Sequence, residues 1–170
     1  MRFKLLAGLL LGLAGFTAQA ELAQQSEQHF IIKHQFNSKK PLAEVYRQFK
    51  QVNKWWEAGH TFSGKAENLY FDFDQQRCYC EKLDNGGFIR HLAVIHVQPQ
   101  KKVVFSGGLG PLQDQPVNGK MIWSFTESDK GVEVTVEYRV YGMIVGGMGE
   151  WPKAVDFVTG TQVKRLAGLL

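Results

Sequence analysis

From Gly59 onward the hydrophobic residues alternate with a period of two for about eighty residues, a pattern that only extended strands satisfy. Turn-forming clusters divide this stretch at Asp74-Gln75-Gln76-Arg77, Asp84-Asn85-Gly86-Gly87, Pro99-Gln100 and Ser128-Asp129-Lys130-Gly131. Short antiparallel strands joined by tight turns are the economical reading. One interruption, G-G-L-G-P-L-Q-D-Q-P over 107–116, is too rich in glycine and proline for helix or central strand, and such loops often line sites. Before the alternation, Gln28–Asn37 reads as a strand with Phe30, Ile32, His34 and Phe36 on one side. Lys40–Trp56 then reads as helix. After it, Glu150–Leu170 returns to helical spacing, with Trp151, Val155, Val158, Val163 and Leu166 available for a buried face. A sheet of about seven strands must bury one face, and the last helix is the late element long enough to cover it. The expectation is an α+β, helix-grip fold: a curved antiparallel sheet wrapped around a long C-terminal helix, with an internal cavity between them.

The first twenty residues read differently. Met1–Lys4 is a basic n-region, Leu5–Phe16 an apolar run, and Ala18-Gln19-Ala20 a small-x-small cleavage site. This is the pattern of a secretory signal peptide, too short and wrongly flanked for a stable membrane anchor. No twin arginine is present and no Cys follows the site, so Sec export, cleavage after Ala20 and a periplasmic or secreted location are expected. Residues 21–170 then form one domain's worth of chain. Of the 20 Lys and Arg residues, Arg2 and Lys4 fall in the signal, so the remainder is closer to neutral than the formal charge of +4. Lys39-Lys40 and Lys101-Lys102 are isolated pairs rather than a phosphate-tracking stripe, and no nucleic-acid partner is expected.

Strand registers follow from the turns. A two-residue Asn85-Gly86 turn would set Leu83 opposite Phe88, Glu81 opposite Arg90 and Cys80 opposite His91. Glu81 and Arg90 then share the wet face as an opposite-charge pair. The inner face would carry Cys78, Cys80, Ile89, His91, Ala93, Ile95 and Val97. A Gln75-Gln76 turn would add Phe71 opposite Cys80 and Phe73 opposite Cys78. Later strands contribute Met121, Trp123 and Phe125, then Val132, Val134, Val136, Tyr138 and Val140. An export compartment favours disulfides. On a regular strand, however, Cys78 and Cys80 would lie roughly 6.5–7 Å apart, so both thiols are expected to be free or at most to bridge between molecules.

The runs W-W-E-A-G-H-T-F-S-G-K-A-E-N-L, C-Y-C-E-K-L and G-G-L-G-P-L-Q resemble the START-like (SRPBCC) superfamily. Within it the resemblance is to small bacterial proteins of the polyketide cyclase-like or heat-shock-protein-90 ATPase activator homologue group, over roughly Phe30 to Leu166. The resemblance implies a helix-grip cavity that binds lipids, sterols, hormones or polyketides, with catalysis in only some members. A cytosolic chaperone partner does not suit an exported chain. The ligand is therefore expected to be a hydrophobic or aromatic small molecule. The alternative is a cyclase- or hydrolase-like enzyme using His91, His60, Tyr138 or Cys80 as acid–base groups.

The candidate ligand-binding residues are Trp55, Trp56, His60, Phe71, Cys80, His91, Trp123, Tyr138 and Trp151. Neighbouring helical side chains diverge by about 100°, so Trp55 and Trp56 cannot share a face. One indole is expected in the core and the other at the cavity entrance beside His60. Of the histidines, His91 and His96 point to opposite faces, as do His29 and His34, so neither pair chelates. A site built from His60, His91 and Cys80 would suit zinc, but no spacing motif supports it, and no metal is expected. The glycine runs at Gly107–Gly110 and Gly146–Gly149 lack phosphate-loop spacing, and no cofactor is expected.

Overall fold

A computed structural model describes residues 19–170. The signal segment expected over residues 1–20 lies outside the described residues but for its last two. The strands are β1 (Gln19–Gln25), β2 (His29–Ser38), β3 (Leu69–Asp72), β4 (Cys78–Lys82), β5 (Phe88–Gln98), β6 (Lys102–Ser106), β7 (Val117–Ser128) and β8 (Gly131–Gly142). The helices are α1 (Leu42–Lys50), α2 (Val52–Trp55) and α3 (Trp151–Gly168). All eight strands form one antiparallel sheet in the order β1-β2-β8-β7-β6-β5-β4-β3. The chain crosses the sheet once, when α1 and α2 carry it from β2 to the far edge at β3; every later neighbour is a hairpin. The sheet has one strand more than the seven expected. The extra one, β1, is a glutamine-rich edge segment without apolar alternation, held by backbone pairing with β2 and by Leu22 against the core.

Strict alternation holds over half of the sheet. Phe30, Ile32, His34 and Phe36 of β2 face inward with Val132, Val134, Val136, Tyr138 and Val140 of β8 and with Met121, Trp123 and Phe125 of β7. Inside this curve Phe49 of α1 packs among Trp55, Phe71, Trp123 and Phe125, with ring centroids between 5.0 and 6.4 Å. Burying each such ring stabilises the fold by roughly 1.5–3 kcal/mol. The expected helix Lys40–Trp56 is broken at Gln51 (φ −89°, ψ 58°), which turns Trp55 back so that its indole N–H donates to the Phe49 carbonyl at 3.1 Å.

The other half of the sheet departs from the expected registers because β5 carries two bulges. Tyr79 pairs with Leu92 but Cys80 pairs with Arg90, which leaves His91 as an extra residue on β5. Val94 pairs with Phe105 and His96 with Val104, which leaves Ile95 extra as well. Glu81 therefore lies opposite Ile89, not Arg90, and the connection after β4 is a five-residue loop instead of a two-residue turn. Phe71 pairs with Tyr79 rather than Cys80. The inner face of this hairpin is Tyr79, Glu81, Leu92 and Val94, while Ile95, expected inside, is 53% exposed.

The same irregularity corrects the reading of the thiols. Cys78 and Cys80 have Cα atoms only 5.5 Å apart and are joined as a disulfide. A regular strand holds i and i+2 too far apart for this, and β4 is irregular where it faces the first bulge of β5. Cys80 is thus neither a free thiol nor the partner of His91.

Candidate functional site

A cavity of about 320 Å³ opens between the N-terminal half of α3 and two loops, and its walls are mostly apolar. α3 supplies Trp151, Ala154, Val155, Val158 and Thr159. The 3-10 turn Gly110–Asp114 supplies Pro111 and Leu112, and the segment after α2 supplies Trp56, His60 and Phe62. His91 enters from the first bulge of β5. Bulges commonly re-aim a side chain beside a site, and here one turns a histidine onto the cavity wall.

Each wall is fixed by polar contacts that are buried or half-buried. Gln162, buried on α3, accepts the Glu57 backbone N–H through Oε1 at 2.8 Å and reaches His60 Nδ1 with Nε2 at 3.0 Å. The same His60 Nδ1 lies 3.1 Å from Glu57 Oε2, so Gln162 and Glu57 together hold the imidazole in place. The Trp56 indole donates to the His60 carbonyl at 2.9 Å, and Arg165 Nε donates to the Trp55 carbonyl at 2.8 Å. The loop opposite is tied by Tyr138, whose hydroxyl donates to Gly107 O and accepts from Leu109 N, both at 2.9 Å. Its ring lies against Gly119, where a Cβ would come within 2.6 Å of it, so only glycine admits this arrangement. Burial raises the Tyr138 hydroxyl far above its ordinary range.

The charged centre of the wall is Glu81. Its carboxylate is fully buried and accepts from Phe62 N–H at 3.2 Å, from Ser63 N–H, and from His91 Nε2 at 2.9 Å. Burial alone would raise its pKa, but hydrogen bonds from Ser63, Phe62 and His91 outweigh burial and hold it below the ordinary value. Burial lowers His91, and Glu81 offsets this only in part, so the imidazole is neutral near pH 7. With Nε2–H given to Glu81, Nδ1 is left as a lone-pair acceptor. A carboxylate that fixes tautomer and orientation in this way is how a histidine is prepared to bind or move a proton.

A second buried histidine does less. His34 Nε2 lies 3.1 Å from Thr159 Oγ1 and 3.2 Å from Asp156 Oδ1. Burial lowers its pKa, Asp156 opposes this, and Lys164 adds to it. Both neighbours meet the same nitrogen, so no relay runs through the ring; His34 fastens β2 to α3.

Of the nine residues singled out from sequence, Trp56, His60, His91 and Trp151 meet around the cavity. Trp55, Phe71 and Trp123 lie in the aromatic core around Phe49, Tyr138 anchors the loop, and Cys80 is held in the disulfide. Glu81 was missed because the expected register placed it on the wet face. The available signal was that Glu81 shares its strand face with Tyr79, a large apolar ring. Among the described residues no group of three or more His, Cys, Asp and Glu side chains is placed to hold a metal ion.

No family model and no curated protein matches the chain. Solved structures do. Mll3558 from Rhizobium loti superposes with a TM-score of 0.60 at 19% identity, covering 84% of this chain and 97% of its own. The di-domain ARO/CYC StfQ of the steffimycin biosynthetic pathway gives 0.56 at 10% identity, covering 84% of this chain and 50% of its own. DynU16, from the dynemicin biosynthetic locus, gives 0.54 at 19% identity, covering 81% of this chain and 45% of its own. This chain thus spans about half the length of the two biosynthetic proteins. At these identities the likeness concerns the fold alone, and it establishes the helix-grip fold for this chain.

Proposed function

We propose that this chain is an exported START-like (SRPBCC) domain that binds a hydrophobic or aromatic small molecule in the cavity between α3 and the loops at Trp56–Phe62 and Leu109–Leu112. The observation that carries the reading is the cavity itself. At about 320 Å³ it lies within the range of small-molecule sites, with aliphatic and indole walls and few polar groups. The indole faces of Trp56 and Trp151 and the Phe62 ring on its walls favour an aromatic ligand over a purely aliphatic one. The buried Glu81–His91 pair favours a second reading, acid–base catalysis on the bound molecule in the manner of a cyclase, over one that uses Cys80. Native mass spectrometry of the protein recovered from a periplasmic extract tests the proposal. The expected result is a polypeptide beginning at Glu21 that carries a small apolar adduct, lost on denaturation. A full-length mass, or a ligand-free protein whose melting temperature no lipid or aromatic compound raises, would count against it.

A further inference from the structure

The charges around the cavity are one-sided. Among the described residues no Lys or Arg lines it. Cations on the neighbouring segments are engaged elsewhere: Lys153 with Glu150, Lys65 with Asp84, and Arg165 on the Trp55 carbonyl. Lys54 and Lys164 are exposed. Carboxylates, by contrast, stand directly behind the lining. Glu81 is fully buried and accepts from His91 and from the Phe62 backbone N–H, and both residues line the cavity. Glu57 Oε2 lies 3.1 Å from Nδ1 of His60, another lining residue. Asp156 follows the lining residue Val155 on α3, with Oδ1 buried against His34. Among the described residues the ion-pair partners of these three are imidazoles only, and burial keeps His34 and His91 neutral near pH 7.

A mostly apolar space therefore lies in a negative field. At an effective dielectric of about 20, two unit charges about 10 Å apart change an equilibrium roughly tenfold. A carboxylate ligand would meet repulsion and no cation to pair with, whereas an ammonium would be attracted. Trp56, Phe62 and Trp151 on the walls supply aromatic rings, the surfaces that attract organic cations. Resting on the cavity reading above, we propose that the site takes arylalkylamines, aromatic molecules carrying a protonated amino group, and rejects the corresponding carboxylates. The ring system fills the apolar space, and the field of Glu57, Glu81 and Asp156 holds the ammonium.

Calorimetric titration of the full chain at pH 7 and low ionic strength tests this with three naphthalenes of nearly equal size: 1-naphthylmethylamine, 1-naphthalenemethanol and 1-naphthoate. The readout is the ratio of amine to carboxylate affinity, in which changes of apolar fit cancel. In the wild type it should exceed about tenfold, and Glu81→Gln should lower it severalfold. Glu57→Gln, at a half-exposed position where folding is not at stake, should lower it as well. A wild-type ratio below tenfold, with the alcohol bound, overturns the charge selectivity and leaves the cavity reading intact. A high ratio unchanged in both variants overturns its assignment to these carboxylates. Binding of none of the three compounds removes both the selectivity and the cavity reading.

Discussion

Glu81 carries more of the local structure than any other single residue. Three donors converge on it in a dry setting. Replacing it by Ala leaves two backbone N–H groups and an imidazole N–H without acceptors, at a cost of about 3 kcal/mol in urea unfolding at pH 7. Gln, which keeps one oxygen, should cost clearly less. A change for Glu81→Ala within about 0.5 kcal/mol, the usual range for surface substitutions, would show that the carboxylate is not buried as described. The pH dependence has a definite sign. His34 and His91 are both held below the ordinary histidine value of 6.5, chiefly by burial. The unfolded chain therefore binds more protons than the folded one between the folded and unfolded values. Their stability is full above pH 6.5 and is lost as the pH falls through the folded values, at up to about 1.4 kcal/mol per pH unit for each histidine. Glu81 adds a loss in the same direction below 4.5. Unfolding free energies measured from pH 7 to 5 should thus fall, and His91→Phe should make the fall shallower. None of this was legible from residue types alone: a Glu two positions from a buried Tyr and an Arg nine positions on reads equally well as a surface ion pair.

Among the elements, legibility followed regularity. β2, β7 and β8 alternate without interruption, and their inward residues are those the pattern selects. β4 and β5 do not, because each bulge shifts the faces by one residue, and a bulge has no hydrophobic signature of its own. The free-thiol expectation failed through the same assumption of regular strand spacing. β1 was missed for a different reason: it pairs with β2 through the backbone, and among its described side chains only Leu22 packs on the hydrophobic core. α3 was read nearly to its ends, but the role of Gly160 was not. In isolation a mid-helix glycine costs about 1 kcal/mol relative to Ala. Here a Cβ at 160 would stand 2.9 Å from His34 Cε1, so the glycine lets helix and sheet close on the buried ring. Gly160→Ala should therefore destabilise by about 1–3 kcal/mol despite its better helix propensity, as overpacked cores do. Gly168→Ala, with nothing within 4 Å of the added carbon, should be neutral or stabilising. Thermal unfolding of the two variants decides between packing and propensity; a stabilised Gly160→Ala would mean that α3 does not close on His34.

At the scale of the whole molecule the grip has two unlike ends. At one end α1 and α2 drive Phe49, Trp55 and their aromatic neighbours into the curve of the sheet and fill it. At the other, the loops tied down by Tyr138 and Gln162 stand off from α3 and leave a space with one buried histidine on its wall. The sequence predicts an inner face rich in rings, but pattern alone does not say which rings pack against each other and which line the space. That division depends on where the helix breaks at Gln51 and where β5 bulges. The central claim is that this space, and no other surface, holds an aromatic ligand. Val155 lies on its α3 wall and is only partly buried, so Val155→Trp should fill the cavity with little loss of stability. Calorimetric titration of 2-naphthol into wild type and Val155→Trp, at several temperatures, is the direct measurement. The wild type should bind one equivalent with a negative heat-capacity change, the mark of apolar burial, and Val155→Trp should lose that binding while unfolding at a similar temperature. Equal binding by both proteins, or none by the wild type, would contradict the account.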